Sequence, residues 1–173
     1  MKDSVNFQVI PFRGEHAEAF RDLNLAWIRA YFAVEAEDEI QLADPGGYYI
    51  RDGGQIFIAE DTSGVLGGVA LHREDPPITW IKDDSEDSVF SHVFEVSKMC
   101  VRDDTRGRGI GRALMAATLN HAKEIGAEEL HIVSNRVLKP ALSLYQSVGF
   151  VEVPIPEDNV FGRGDIALAL RLV

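Results

Sequence analysis

The densest chemistry in this sequence lies between Val101 and Arg112, VRDDTRGRGIGR, where three glycines are interleaved with arginines. Upstream runs an apolar stretch, Val93-Phe94-Glu95-Val96-Ser97-Lys98-Met99-Cys100-Val101. Downstream, Ile110, Leu114, Ala117, His121 and Ile125 recur at helical spacing. Gly107, Gly109 and Gly111 therefore stand where a helix begins and leave its first backbone N–H groups uncovered. Such a terminus carries unpaired donors and partial positive charge, so it suits an anion. The local charge agrees. Lys98 to Arg112 holds five basic and two acidic residues, a net +3, in a chain of formal net charge -11. A solvated helix entry without a ligand is the other reading of the same residues.

The whole chain bounds what that anion can be. At 173 residues with 46% apolar content, residues 1–173 are expected to form one domain with a real core. The strongly acidic balance argues against nucleic acid as a partner, because such binding rests on clustered Lys and Arg. The only cysteine, Cys100, cannot form an internal disulfide and sits in an apolar strand, so it reads as a core residue. The first residues, MKDSVNFQVI, lack the apolar run of a leader, and no stretch approaches the ~18 apolar residues of a membrane span. These features predict a soluble, cytoplasmic protein with no membrane contact. No metal is expected.

The elements that must position the glycine loop read in order. Phe7–Phe12 reads as a strand and Glu15–Phe32 as a helix with Ala19, Leu23, Ala26, Trp27 and Ala30 on its inner stripe. Trp27, Tyr31 and Phe32 suit core or pocket wall. Glu35–Leu42 is a short second helix, stopped by the breaker Asp44-Pro45-Gly46-Gly47. Gln55–Ala59 and Val65–His72 form a hairpin, with Gly67 and Gly68 marking a bulge or close approach. Glu74–Ser88 reads as a long acidic loop, with Trp80 and Ile81 tucked down. After the central strand and helix, Glu129–Ser134 is a strand, Pro140–Val148 a helix stopped by Gly149, Phe150–Val153 a strand, and Asp165–Val173 a last strand closing the sheet. The order predicts an α/β (α+β) fold, a mixed sheet of about seven strands covered by helices.

With those elements in place, the chain resembles the GNAT superfamily of acetyl-CoA-dependent N-acyltransferases. Arg106-Gly107-Arg108-Gly109-Ile110-Gly111 is similar to the family's (Q/R)-x-x-G-x-(G/A) pyrophosphate loop. Leu144-Tyr145-Gln146-Ser147-Val148-Gly149-Phe150 is similar to its LYxxxGF segment. The two lie about 40 residues apart with a strand between them, and the element order agrees over nearly the whole chain. Rival glycine motifs fit less well. The third Gly of a dinucleotide fingerprint and the Gly-Lys-Ser/Thr of a P-loop are both missing.

The resemblance implies a mostly antiparallel sheet with helices on both faces, strands 4 and 5 splayed around acetyl-CoA, and direct acetyl transfer to an amine. It implies that the N–H groups from Gly107 to Arg112, Ile110 and Gly111 included, hold the pyrophosphate, with Arg106, Arg108 and Arg112 as charge partners. Backbone groups of Met99, Cys100 and Val101 would pair with the pantetheine and polarise the acyl carbonyl. Tyr145 matches the tyrosine that commonly serves as general acid to the departing thiolate; an ordinary packed tyrosine is the other reading of the same residue. Glu95 resembles a glutamate that some members place on this strand as base, with His92 a weaker candidate and His72, His121 and His131 structural. Simple alternation puts Glu95, Ser97, Met99 and Val101 on one face and His92, Val96, Lys98 and Cys100 on the other. Many members carry an Asn seven residues before the Tyr. Here that position is Leu138, and Asn135 is the nearest substitute for a cofactor contact.

The acceptor is less legible. Glu35, Asp38 and the acidic 74–88 loop favour a small-molecule or peptide amine that is cationic. A different class of reading keeps the coenzyme site without turnover, as an acyl-CoA sensor or scaffold. Homodimers are common in the family.

Overall fold

The computed structural model describes residues 6–81, 90–157, 159 and 161–173. The chain order is β1 (Gln8–Pro11), α1 (Ala17–Tyr31), α2 (Ala36–Ala43), α3 (Pro45–Tyr49), β2 (Gln55–Asp61), β3 (Gly64–Arg73), β4 (Val93–Val101), α4 (Ile110–Glu124), β5 (Glu129–Ser134), α5 (Lys139–Ser147), β6 (Val151–Val153) and β7 (Ile166–Arg171). The strands form one sheet in the order β1-β2-β3-β4-β5-β7-β6. Every neighbouring pair is antiparallel except β4 and β5, which run parallel. The last strand therefore does not close the sheet as expected: β7 lies inside it, and the short β6 forms the edge.

Each sheet face carries its own core. Leu66, Val69, Leu71, Val96, Leu114, Met115 and Leu168 pack in one cluster with α4 and α5. Phe20, Leu42, Tyr49, Ile56, Ile58 and Ala70 pack in the other, beneath α1–α3. Helices thus cover both faces, as burial of an amphipathic sheet requires. No helix among the described residues is long and apolar enough to cross a membrane.

Three local expectations are corrected. The buried stripe of α1 is Phe20, Asn24 and Ile28, whereas Ala26 and Ala30 are exposed. A polar residue hid that stripe. Asn24 is fully buried because its amide donates to the Phe20 carbonyl (2.9 Å) and its oxygen accepts from Trp27 Nε1 (3.1 Å). The breaker at Asp44–Gly47 begins α3 instead of only ending α2. Pro45 lies in the first turn, where its missing N–H costs nothing, and the Asp44 carboxylate accepts from the Gly47 amide (3.1 Å). The simple alternation of β4 also fails. Opposite β3, Ala70 pairs with Ser97 but Gly68 pairs with Cys100, so Lys98 and Met99 together face the single Val69. Lys98 adopts φ 52°, the left-handed conformation of a bulge.

The bulge reassigns the faces. Glu95, Ser97 and Cys100 share the α1 side, where Lys98 reaches Asp38 on α2. Val96, Met99 and Val101 pack on the α4 side. Both glycines of β3 are needed here. A Cβ on Gly67 would lie 2.4 Å from the Cys100 carbonyl oxygen, and one on Gly68 would lie 2.7 Å from the Phe20 ring.

Part of the acidic 74–88 loop, residues 82–88, lies outside the described residues. Of the rest, Trp80 does tuck down. Its ring stacks on His131 with centroids 3.7 Å apart, and its backbone N–H donates to Glu129 Oε1 at 2.6 Å.

Candidate active site

The parallel pair sets the site. β4 and β5 are in register only from Val93–Glu95 against Glu129–His131. Beyond that, β4 continues to Val101 and β5 to Ser134 without pairing to each other, so the sheet opens between them. A cleft of about 790 Å³ occupies the opening. It is lined by the unpaired ends of both strands, the start of α4, the first half of α5, the end of α1 and residues 161, 163 and 164.

The α4 end of this cleft is built to take an anion. Thr105 is buried and its hydroxyl donates to the Arg102 carbonyl (2.8 Å), while the Arg102 amide donates to Leu66 O (2.7 Å). The glycine loop is thus tied to the β2–β3 hairpin. Gly107 and Gly109 then adopt φ 81° and 79°, conformations in which a side chain is strained, and no atom lies within 4 Å of where a Cβ would project. Gly109 caps α4 without a side-chain hydrogen bond, and the first turn of α4 contains no acidic residue. Its amides precede the first intrahelical acceptor and carry the positive end of a 15-residue helix. The open glycine cradle fits a pyrophosphate.

Most residues singled out in the sequence meet in this one cleft. Glu95, Met99, Cys100, Val101, Arg106, Gly107, Gly109, Ile110, Gly111, Arg112, Asn135 and Tyr145 all line it. Arg108 does not. It turns outward to Asp61 (3.1 Å) and lies over the Phe7 ring. Arg106 pairs with Asp103 at 2.8 Å while remaining exposed. Asn135 is already engaged, donating to the Arg163 carbonyl (2.6 Å) and accepting from the Val137 amide (2.9 Å). His92 lies outside the cleft lining, beside Glu128 at 3.6 Å. Leu138 is the N-cap of α5, which begins at Lys139, one residue before the expected Pro140.

Two titratable groups, one on α5 and one on β4, line the opening. Tyr145 is buried on α5, and burial pushes its hydroxyl up to about 12, so it keeps its proton throughout the physiological range. Glu95 sits on β4 with His72 Nε2 3.9 Å away. Burial and the charge of Glu74 push its carboxyl up to about 7, against the opposing pull of Lys98 and His131. A carboxyl held near neutrality is suited to exchange protons at working pH. Cys100 is buried, and burial drives its thiol up to about 12, which removes it as a nucleophile.

The α1 end of the cleft carries residues that sequence reading missed. Lys98, Phe161, Arg163 and Gly164 line it beside Trp27, Tyr31 and Phe32. Asp38 is fully buried behind them. Its Oδ1 accepts from Lys98 Nζ (3.0 Å) and Arg163 Nη2 (2.7 Å), and its Oδ2 from Arg163 Nη1 (2.7 Å) and the Glu35 amide (2.9 Å). Burial alone would raise the Asp38 carboxyl, but these bonds prevail and hold it at about 2. Glu35 also pairs with Arg163, at 3.0 Å. A lysine amid an apolar strand was a signal for a buried partner. Arg163, in an irregular loop, gave no pattern to read.

A family model described as an acetyltransferase (GNAT) domain matches residues 52–152. N-acetyltransferase family 8 member 2 of Rattus norvegicus is 26% identical over 164 residues, which make up 91% of this chain and 64% of that protein. The chain thus spans less than two thirds of that relative's length. The L-methionine sulfoximine/L-methionine sulfone acetyltransferase of Pseudomonas aeruginosa is 27% identical over 139 residues, 76% of this chain and 73% of that protein. A solved acetyltransferase of the GNAT family from Staphylococcus aureus Mu50 superposes with TM-score 0.81 at 17% identity, covering 96% of this chain and 99% of that one. At that identity the likeness is one of fold.

Proposed function

The chain belongs to the GNAT acetyltransferase family, and from that premise we propose that it transfers an acetyl group from acetyl-CoA directly to a primary amine of a small molecule or peptide. The observation that carries this reading is the convergence on one cleft of an uncapped glycine-rich helix start, Glu95 and Tyr145.

Acetyl-CoA supplies an activated acyl carbonyl on a thiol leaving group. The chain's own residues do the rest. Amides at the start of α4, with Arg112 beside them, hold the pyrophosphate. Backbone groups of Met99–Val101, left without a β5 partner past the bulge, align the pantetheine as an added strand. Glu95 Oε accepts a proton from the attacking amine, which must be neutral to form the new C–N bond. As the C–S bond breaks, the Tyr145 hydroxyl donates its proton to the thiolate sulfur and recovers one from solvent.

The geometry also bears on the acceptor. Glu35 and Asp38, whose bare charges would favour a cationic acceptor, are spent on Lys98 and Arg163. The acceptor's charge must instead be read from the groups that reach the cleft.

Calorimetry with acetyl-CoA, followed by thiol release across a panel of amines, tests the reading. Saturable binding and amine-dependent release of thiol with formation of the amide are expected. Binding without turnover on any amine would replace the enzyme with an acyl-CoA sensor, and absence of binding would overturn both.

A further inference from the structure

The cleft passes through the sheet, and its two ends differ in charge logic. The donor end lies on the α4 and α5 side with Arg106 and Arg112. The opposite end, at the close of α1, presents Lys98 and Arg163. Their counter-charges lie behind them. Asp38 is fully buried, and neither Asp38 nor Glu35 lines the cleft. The arrangement is a fixed dipole with its positive side inward.

The cations also keep free hydrogen-bonding capacity. Lys98 Nζ gives one of its three N–H groups to Asp38. Arg163 uses both Nη1 hydrogens and one on Nη2 for Glu35 and Asp38. Its Nε–H and second Nη2–H have no acceptor among the described residues. Both cations lie over the Phe161 ring, Arg163 at 4.5 Å and Lys98 at 4.8 Å from its centroid. Phe32 and Trp27 stand close by as an edge-on pair. Lys98 is delivered here by the bulge, in a left-handed conformation that a non-glycine residue adopts at a cost. A lysine serving only as a buried counter-ion needs no place on the cleft wall.

We infer that the acceptor amine carries an anionic group, a carboxylate or an equivalent oxyanion, which docks on Lys98 and Arg163 while the aromatic walls take its side chain. This rests on the acetyl-transfer reading of the same cleft and deepens it. The acceptor class is a free amino acid or a close analogue. A polyamine or an amide-blocked amino acid meets two desolvated cations and lacks the group that would pair with them. Discrimination then comes from leaving those donors unpaired with the wrong acceptor.

The test uses matched pairs. L-methionine, L-phenylalanine and L-alanine are compared with their carboxamides and with putrescine, in wild type, Arg163→Gln and Arg163→Lys. In wild type, kcat/KM for at least one free amino acid should exceed that for its amide by tenfold or more, mainly through KM. Arg163→Gln should collapse that ratio toward one, and Arg163→Lys should restore part of it. A purely structural role for Arg163 would lower the melting temperature and depress both members of each pair alike, leaving the ratio intact. That result overturns the inference, as does a wild type that prefers amides or putrescine. A second arm does not depend on turnover or on variant folding. Wild type saturated with CoA is titrated calorimetrically with N-acetyl amino acids and their amides. Selective binding of the carboxylate forms is expected, and equal or absent binding of both contradicts the inference. Loss of thiol release in the presence of such selectivity would remove the enzyme reading alone.

Discussion

The backbone N–H of Phe150 donates to the carbonyl of Tyr145 at 3.1 Å, and the Gly149 N–H donates to Gln146 O at the same distance. These two bonds are a Schellman stop at the end of α5, with Gly149 in the left-handed conformation at φ 106°. The buried Phe150 ring packs against Tyr145, with centroids 6.2 Å apart. The LYxxxGF spacing is therefore a device that ends a helix and fixes the tyrosine ring in one step.

Tyr145→Phe keeps that packing and removes the proton. It is expected to lower kcat by about 10²-fold, the lower end of what a general acid contributes, with the affinity for acetyl-CoA and the melting temperature little changed. Steady-state kinetics beside calorimetry check this. An unchanged kcat would make Tyr145 a packing residue.

On the proposed mechanism, Glu95 sets the pH profile. Its carboxyl is raised to about 7 by burial and by Glu74, and it must be ionised to act as a base. Activity should therefore be low below pH 6, rise through pH 7, and level off above it. Glu95→Gln should abolish that rise and lower kcat/KM by about 10²-fold. The check is kcat/KM against pH for both proteins. A profile of the same shape in the variant would assign the base elsewhere.

Asp38 ties the Lys98–Arg163 wall of the cleft to stability. Its bonds to Arg163, the Glu35 amide and Lys98 outweigh burial and depress its folded value to about 2 from 3.8. Because the folded value is the lower, its contribution is full above pH 3.8 and is lost as pH falls toward 2. Asp38→Asn leaves two cations facing a neutral group and should cost about 3 kcal/mol at neutral pH. Urea unfolding of both proteins at pH 7 and pH 3 measures it, with the gap between them narrowing at the lower pH. A gap that did not narrow would mean that Asp38 charge contributes nothing.

Local rules make much of this fold legible, and what they leave hidden has physical causes. The bounds of β5 are legible to the residue, because turn signals flank its run. The glycine loop and Tyr145 were legible because both are helix ends, where residue type is dictated by backbone geometry. Asn24 broke the α1 stripe because a polar side chain can be buried once its bonds are met within its own helix. The bulge at Lys98 needs the pairing with β3 to be seen, and no residue type in β4 announces it. Asp38 and Arg163 meet across 125 positions, so the charges that look like bait for a cationic acceptor are instead cancelled by a loop far along the chain. Arg108, next to the right glycines, leaves the cleft for the same kind of reason: Asp61 waits on the neighbouring hairpin.

On the proposed reading, the start of α4 holds the coenzyme's pyrophosphate. Gly109 probes it most directly, because it lines the cleft at the start of α4 and no atom lies within 4 Å of where its Cβ would stand. Gly109→Val adds strain at φ 79°, about 1 kcal/mol or somewhat more, which should leave a folded protein with a modestly lower melting temperature. Calorimetric titration with acetyl-CoA should show saturable binding to wild type and at least a hundredfold loss in the variant. A folded Gly109→Val protein that binds acetyl-CoA with wild-type affinity would contradict the account.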